Sequence, residues 1–130
     1  MTGLDTNILV RYFAKDDVEQ GSKAALLIRS LTLEFPGYVS LVSLIELVWV
    51  LRSRYRLKKP ELVKILDQLL DSPELTVESQ TAVNLAVRRF ANGKADFADC
   101  LIECSGAAAG CAETVTFDVE ASRTSGMRLL

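Results

Sequence analysis

The chain has 130 residues, a length at which one domain can bury a hydrophobic core. Its residues are 49% hydrophobic and 25% charged, which excludes an intrinsically disordered or fibrous protein. The net charge of −2 gives no overall positive field for non-specific nucleic-acid binding, and the lack of histidine excludes a Ser-His-Asp triad and an imidazole zinc site. We expect one globular domain over residues 1–130.

The first part of the chain alternates short apolar runs, which predict strands, with segments of helical periodicity. Pro36-Gly37 and Pro60 mark breaks between these segments. The predicted elements are a short strand at residues 2–4, helices at 7–13 and 17–33, a strand at 38–42, helices at 43–56 and 61–70, and a strand at 75–77.

The second part continues the same alternation, with helices predicted at residues 81–90 and 98–109 and a strand at 114–117. Residues 127–130 are compatible with an edge strand. Strands that alternate with helices favour right-handed crossovers and parallel pairing. We therefore predict an α/β fold, an α/β/α sandwich with a short parallel sheet of about four to five strands and helices on both faces.

Four acids, far apart in the sequence, stand where an apolar run gives way to a helix start. They are Asp5, Glu46, Asp99 and Asp118. In a parallel α/β sheet the carboxyl ends of the strands open on one edge, where ligands bind. We therefore expect these four side chains to converge.

Each acid also has a purely structural explanation as a helix cap. Ser43 and Glu46 fit the capping-box pattern, and Asp118 could cap a helical turn through Ala121. Capping accounts for each acid taken singly, but it does not require several of them to meet. The other positions open to capping or to a first-turn role are Asp5, Asp96 and Asp99.

A cluster of carboxylates needs positive charge to compensate it. Two carboxylates about 4 Å apart repel by roughly 4 kcal/mol at an effective dielectric constant near 20. With oxygen ligands only, Mg²⁺ or Mn²⁺ is the expected counter-charge. Such an ion can activate water and neutralise a phosphate oxygen, which is the chemistry of phosphodiester hydrolysis. Whether one ion or two would bind stays open.

The acidic blocks together resemble the PIN-domain family, and more narrowly the VapC-type toxin ribonucleases of type II toxin–antitoxin pairs. Each block alone is a weak signal, whereas the four in order across residues 5–118 are a strong one. The segment after Asp118 departs from the family by lacking an apolar or aromatic anchor. The blocks are Asp5-Thr6-Asn7, Glu46 within Ser-Leu-Ile-Glu-Leu, Asp96-Phe97-Ala98-Asp99 and Thr116-Phe117-Asp118.

The resemblance implies a PIN-like, Rossmann-like fold and a magnesium-dependent endoribonuclease that forms a homodimer and is inhibited by a cognate antitoxin protein. It implies that RNA is the substrate and that Asp5, Glu46, Asp99 and Asp118 are catalytic metal ligands, with Asp96 as a further metal ligand. It also implies that Thr6, Asn7 and Thr116 support the carboxylates.

Residues 52–59 form the one basic cluster of the chain, which suits either a helix C-terminus or contact with phosphate. Arg11 and Arg52 are the candidate phosphate contacts. The three cysteines, which include no CxxC pair, are expected to be buried reduced thiols. No signal peptide is expected, because Asp5 interrupts the first apolar stretch and no basic segment precedes it. No membrane span is expected either, because the longest apolar stretch is broken by Glu46, and we predict a soluble, cytoplasmic protein without membrane contact.

Two other functions are compatible with such a chain. A catalytically silent PIN-like module could bind RNA or a protein without cutting, although a complete set of acids disfavours it. A phosphotransfer domain would call for an acid pair near the start and a conspicuous lysine after the last strand, and the sequence has neither.

Overall fold

The computed structural model describes all 130 residues and contains seven helices and five strands. The chain forms two compact units, Met1–Glu78 and Ser79–Leu130. The elements of the first unit are β1 (Thr2–Gly3), α1 (Thr6–Ala14), α2 (Val18–Ser30), β2 (Gly37–Val39), α3 (Leu41–Ser53), α4 (Lys59–Asp71) and β3 (Leu75–Val77). Those of the second unit are α5 (Gln80–Asn92), α6 (Phe97–Ala108), β4 (Val115–Thr116), α7 (Val119–Thr124) and β5 (Arg128–Leu129).

The first unit is built on a three-stranded parallel sheet in the order β1-β2-β3. Two helices separate each strand from the next, and they form the crossover connection that parallel pairing requires. Gly37 begins the central strand, where a Cβ atom would lie 2.8 Å from Leu31 Cδ1 and 3.0 Å from Leu4 Cδ1 and Leu75 Cδ2. The ends of these leucine side chains would therefore have to shift to admit a larger residue.

The helices of the first unit bury a leucine-rich core. Helix α1 packs against both α2 and α3, and the residues fully enclosed there include Leu9, Leu44 and Leu47. Asp17 caps α2 by accepting a hydrogen bond from the amide of Gln20 at 2.8 Å, which satisfies one of the free N–H groups of the first turn. These contacts fix the direction in which α1 and α3 leave the sheet.

The second unit is a helix pair with a small parallel sheet. Helices α5 and α6 pack together, with the rings of Phe90 and Phe97 edge to face at 5.7 Å between centroids and an ion pair between Arg89 and Glu103. Strand β4 pairs in parallel with β5, and α7 lies between them in the chain. Met127 is buried just before β5, and Ala121 is buried within residues 119–123.

The predicted α/β class with parallel strands is confirmed, and the five strands fall within the predicted number. They form a sheet of three and a sheet of two, where the periodicity alone suggested one sheet. Helix α3 begins at Leu41, two residues before the predicted start, because the hydroxyl of Ser40 accepts a hydrogen bond from the amide of Ser43 at 3.1 Å. None of the seven helices has the length and apolar content needed to cross a bilayer.

The three cysteines are free thiols. Cys100 and Cys104 are buried as predicted, and burial raises the pKa of both thiols, so they stay protonated at neutral pH. Cys111 is exposed, and the prediction that it is buried was wrong. It lies beyond the C-terminus of α6, where the helix no longer shields the chain.

Candidate active site

The first two predicted acids lie side by side in the first unit, linked through Thr6. Asp5 follows β1 and caps α1, with its Oδ1 accepting a hydrogen bond from the amide of Thr6 at 2.8 Å. The buried Thr6 then donates its hydroxyl to Glu46 Oε1 at 3.2 Å. Glu46 is therefore oriented by α1, 40 residues away, and the capping-box explanation with Ser43 does not hold.

A pocket of about 250 Å³ opens beside these two acids. Thr6 and Asn7 lie at its acidic end, and its walls carry Arg11, Arg54 and Tyr55. Positive and negative side chains thus face the same small volume. Such a pocket suits a ligand that carries both a metal ion and an anionic group, such as a phosphate ester.

Arg11 is held at the pocket wall by a hydrogen-bonded cluster. Its Nη1 donates to Asp16 Oδ1 and to the Tyr55 hydroxyl, each at 3.2 Å, and its Nε donates to Gln20 Oε1 at 2.7 Å. The Tyr55 hydroxyl also donates to Asp16 Oδ2 at 2.7 Å. This hydrogen bond, with the charge of Arg11 beside it, lowers the pKa of Asp16 and keeps it ionised. The cluster ties the end of α1 to the end of α3.

The remaining predicted acids lie in the second unit, at two helix starts. Asp118 caps α7, with its Oδ1 accepting a hydrogen bond from the amide of Ala121 at 2.9 Å, and its own amide donates to Thr116 Oγ1 at 3.0 Å. Asp96 stands at the cap position of α6, yet its side chain makes no capping hydrogen bond. Asp99 lies in the first turn of the same helix. Capping thus accounts for Asp118 but not for Asp96.

The negative charges of Asp96 and Asp118 act on the neighbouring Asp99. Burial raises the pKa of Asp99, and the negative charges of Asp96 and then Asp118 raise it further. All three causes oppose ionisation of Asp99. This end of α6 is therefore a place where a bound cation would lower the electrostatic energy.

The donor chemistry fits a hard divalent ion. Every candidate ligand is a carboxylate, and Mg²⁺ and Mn²⁺ prefer oxygen ligands. The carboxylates that could serve as ligands are Asp5 and Glu46 in the first unit, and Asp96, Asp99 and Asp118 in the second. As the side chains stand, no three of the acidic or cysteine residues form a group that could hold a metal ion. The candidate ligands therefore match a divalent ion in the type and the charge of their donor atoms.

The pocket contains one arginine of the basic cluster that the sequence did not single out. Arg54 lines it, whereas the predicted phosphate contact Arg52 lies on an exposed part of α3 and is not among the lining residues. The helical spacing of the sequence could have indicated Arg54, because Glu46, Val50 and Arg54 follow one another at intervals of four and share a helix face. Arg52 is six residues from Glu46 and faces another direction.

Comparison with known families gives one match. Residues 4–127 match the family model of the PIN domain, a span that includes every candidate acid. A search of curated proteins found no match.

Proposed function

The chain belongs to the PIN domain family, which is generally a nuclease fold, and from this premise we propose that it is a Mg²⁺-dependent endoribonuclease, with Mn²⁺ able to substitute. We further propose that it acts as the toxin of a type II toxin–antitoxin pair. The observation that carries the nuclease proposal is the placement of Asp96, Asp99 and Asp118 close enough together that the negative charges of Asp96 and Asp118 raise the pKa of Asp99. These charges call for a divalent cation, which a phosphodiesterase uses.

In this proposal the metal ligands are Asp5 and Glu46 in the first unit, and Asp96, Asp99 and Asp118 in the second. When bound, the ion supplies positive charge to the phosphate group. Thr6 keeps one Glu46 oxygen oriented through its hydrogen bond of 3.2 Å. Thr116 fixes the backbone at Asp118 by accepting its amide hydrogen at 3.0 Å.

Two further side chains act on the substrate directly. Arg54, on the wall of the pocket beside Asp5 and Glu46, contacts the phosphate. Asn7 lines the same pocket and donates or accepts a hydrogen bond at the ribose–phosphate backbone.

The proposed protein partners are a second copy of the chain and an antitoxin. On α3, Val42 is 68% exposed and Trp49 is 64% exposed, seven residues apart and therefore on one helix face. Exposed large apolar side chains on one face are typical of an interface. This face supports the proposal of a homodimer.

The alternative is a catalytically silent module that binds RNA or a protein. One observation favours it: the carboxylates of Asp5 and Asp118 serve as helix caps at 2.8 and 2.9 Å. Both acids would be retained for stability even if the chain had no activity. Metal binding separates the two candidates, because only an ion that binds the native state raises the melting temperature.

The test is RNA cleavage by the purified full chain with Mg²⁺ or Mn²⁺, on a panel of structured RNAs. Asp99→Asn should reduce cleavage at least about 100-fold, since it removes a charged ligand of the proposed ion. Glu120→Gln, an exposed acid next to Asp118, is the matched control and should cleave at the wild-type rate. Cleavage that continues in excess EDTA, or in Asp99→Asn, would reject the mechanism.

A melting experiment and a growth experiment complete the test. Mn²⁺ at about 100 times its dissociation constant should stabilise the native state by roughly 2.7 kcal/mol, and a silent module without a metal site would show no shift. Expression of the wild-type chain in bacteria should arrest growth, and Asp99→Asn should not. Growth that is unaffected by an active nuclease would reject the role of toxin and leave the nuclease proposal standing.

A further inference from the structure

A second pocket, of about 390 Å³, lies in the groove between α1 and α2. Its apolar walls are formed by Ile8, Ala24 and Leu27, and its polar rim carries the side chains of Gln20 and Lys23. The volume falls within the range of small-ligand sites, and the mixture of apolar walls with a few polar groups is typical of them. We call this pocket the α1–α2 groove.

The α1–α2 groove adjoins the pocket beside Asp5 and Glu46. Asn7 and Arg11 line both of them. These two residues are four apart on α1 and form a single ridge along the helix. A flexible chain that places a phosphate beside Asp5 can therefore cross this ridge and place its next group in the groove.

The polar rim of the groove presents hydrogen-bond donors. Arginine has no acceptor, so the hydrogen bond of 2.7 Å from Arg11 Nε fixes the Gln20 amide with its oxygen toward Arg11 and leaves its NH₂ group to donate. Lys23 adds three donors. Its ion pair with Glu19, at 3.5 Å between exposed side chains, is of the weak kind that a ligand can displace.

We propose that the α1–α2 groove binds one nucleobase of the RNA strand, and that it selects a base with carbonyl oxygens at its edge, uracil, over adenine. The inference rests on the proposed RNA substrate. Ile8 and Leu27 contact the faces of the base, while Gln20 and Lys23 donate to its oxygens. Sequence-specific recognition of RNA depends on such unstacked bases in pockets, read through hydrogen bonds at their edges.

The hydrogen-bond donors at the groove favour RNA over a protein segment. Arg11 and Lys23 are cations in exposed ion pairs with Asp16 and Glu19, and the apolar walls are three side chains, enough for the two faces of a base. A donor-rich rim complements carbonyl and phosphate oxygens.

The test measures binding without cleavage. Fluorescein-labelled hexauridylate and hexaadenylate are titrated with the full chain in EDTA and followed by fluorescence anisotropy. The wild type should bind hexauridylate about 5–10 times more tightly, the effect of one to two hydrogen bonds. Gln20→Leu should bring this ratio below about 2, and Lys23→Ala should weaken binding of hexauridylate about 5-fold.

The matched controls lie in another groove, on α4, which also carries a lysine and a glutamine. Lys64→Ala and Gln68→Leu should leave both affinities unchanged, and the melting temperatures of all four variants should confirm that they are folded. Equal binding of the two oligonucleotides by the wild type would overturn the proposal. Groove variants that bind like the wild type would also overturn it and leave the groove to a protein partner.

Failure of this inference and failure of the proposed function give different results. Uracil selectivity in EDTA with no cleavage in Mg²⁺ or Mn²⁺ rejects the nuclease and retains the base-binding groove. Cleavage in Mg²⁺, without selectivity for uracil in the binding assay or in the cleavage assay, would support the nuclease proposal and reject the base-binding groove.

Discussion

Asp99→Asn tests the electrostatics of the second unit without any assay of activity. Burial and the charges of Asp96 and Asp118 raise the pKa of Asp99, so its ionised form is less favourable in the native state than in the unfolded chain. Asparagine has the same shape and no charge. The variant should therefore be more stable than the wild type wherever Asp99 is ionised, which includes pH 7.

The expected gain in stability follows from the strength of the repulsion between Asp99 and its two acidic neighbours. Charge pairs near a protein surface are worth about 0.2–1 kcal/mol, and Asp99 is half-buried with two acidic neighbours, so a gain of roughly 0.5–1 kcal/mol is expected. For a domain of this length about 1 kcal/mol shifts the melting temperature by roughly 3–5 °C. The gain should shrink as the pH falls through the raised pKa and vanish below about pH 4, where the acid is protonated in both states.

Glu113→Gln is the control with the opposite sign. Arg128 donates two hydrogen bonds to Glu113, at 2.7 and 2.9 Å, and they lower the pKa of that carboxyl. Its loss should destabilise the protein at pH 7, and the difference should also fade in acid. Both variants are measured by thermal unfolding between pH 3 and 8. An Asp99→Asn protein that is no more stable at pH 7, or whose gain does not depend on pH, would refute the reasoning.

Three further predictions concern single contacts. Thr6→Val keeps the side-chain shape but removes the hydrogen bond to Glu46, so the free energy of unfolding in urea should fall by about 1 kcal/mol and cleavage should slow, while Thr6→Ser keeps both. Gly37→Ala should cost about 1–3 kcal/mol, because its methyl group would meet three leucine side chains at 2.8–3.0 Å. With Ellman's reagent, Cys111 should react at once and the two buried thiols only on unfolding, since burial holds their pKa high; fast reaction of all three would contradict the structure.

The amino-acid sequence was sufficient for features that depend on neighbours along the chain. Helical periodicity, Pro and Gly breaks and cap residues located nearly every helix and strand within a few residues, because these signals act over three or four positions. The caps at Asp17 and Asp118 are of this kind. Parallel pairing also followed, since strands joined by helices have little other choice.

Contacts between remote segments were decided only by the tertiary structure. Ser43-Leu-Ile-Glu46 has the pattern of a capping box, yet Ser40 caps the helix and Glu46 is bound by Thr6, 40 residues earlier. No local pattern encodes that choice, because it depends on how α1 packs against α3. The same packing places Arg54, rather than Arg52, at the pocket, and it brings Arg11 within hydrogen-bond distance of Tyr55. The face of a helix that becomes covered depends on the elements that pack against it in space.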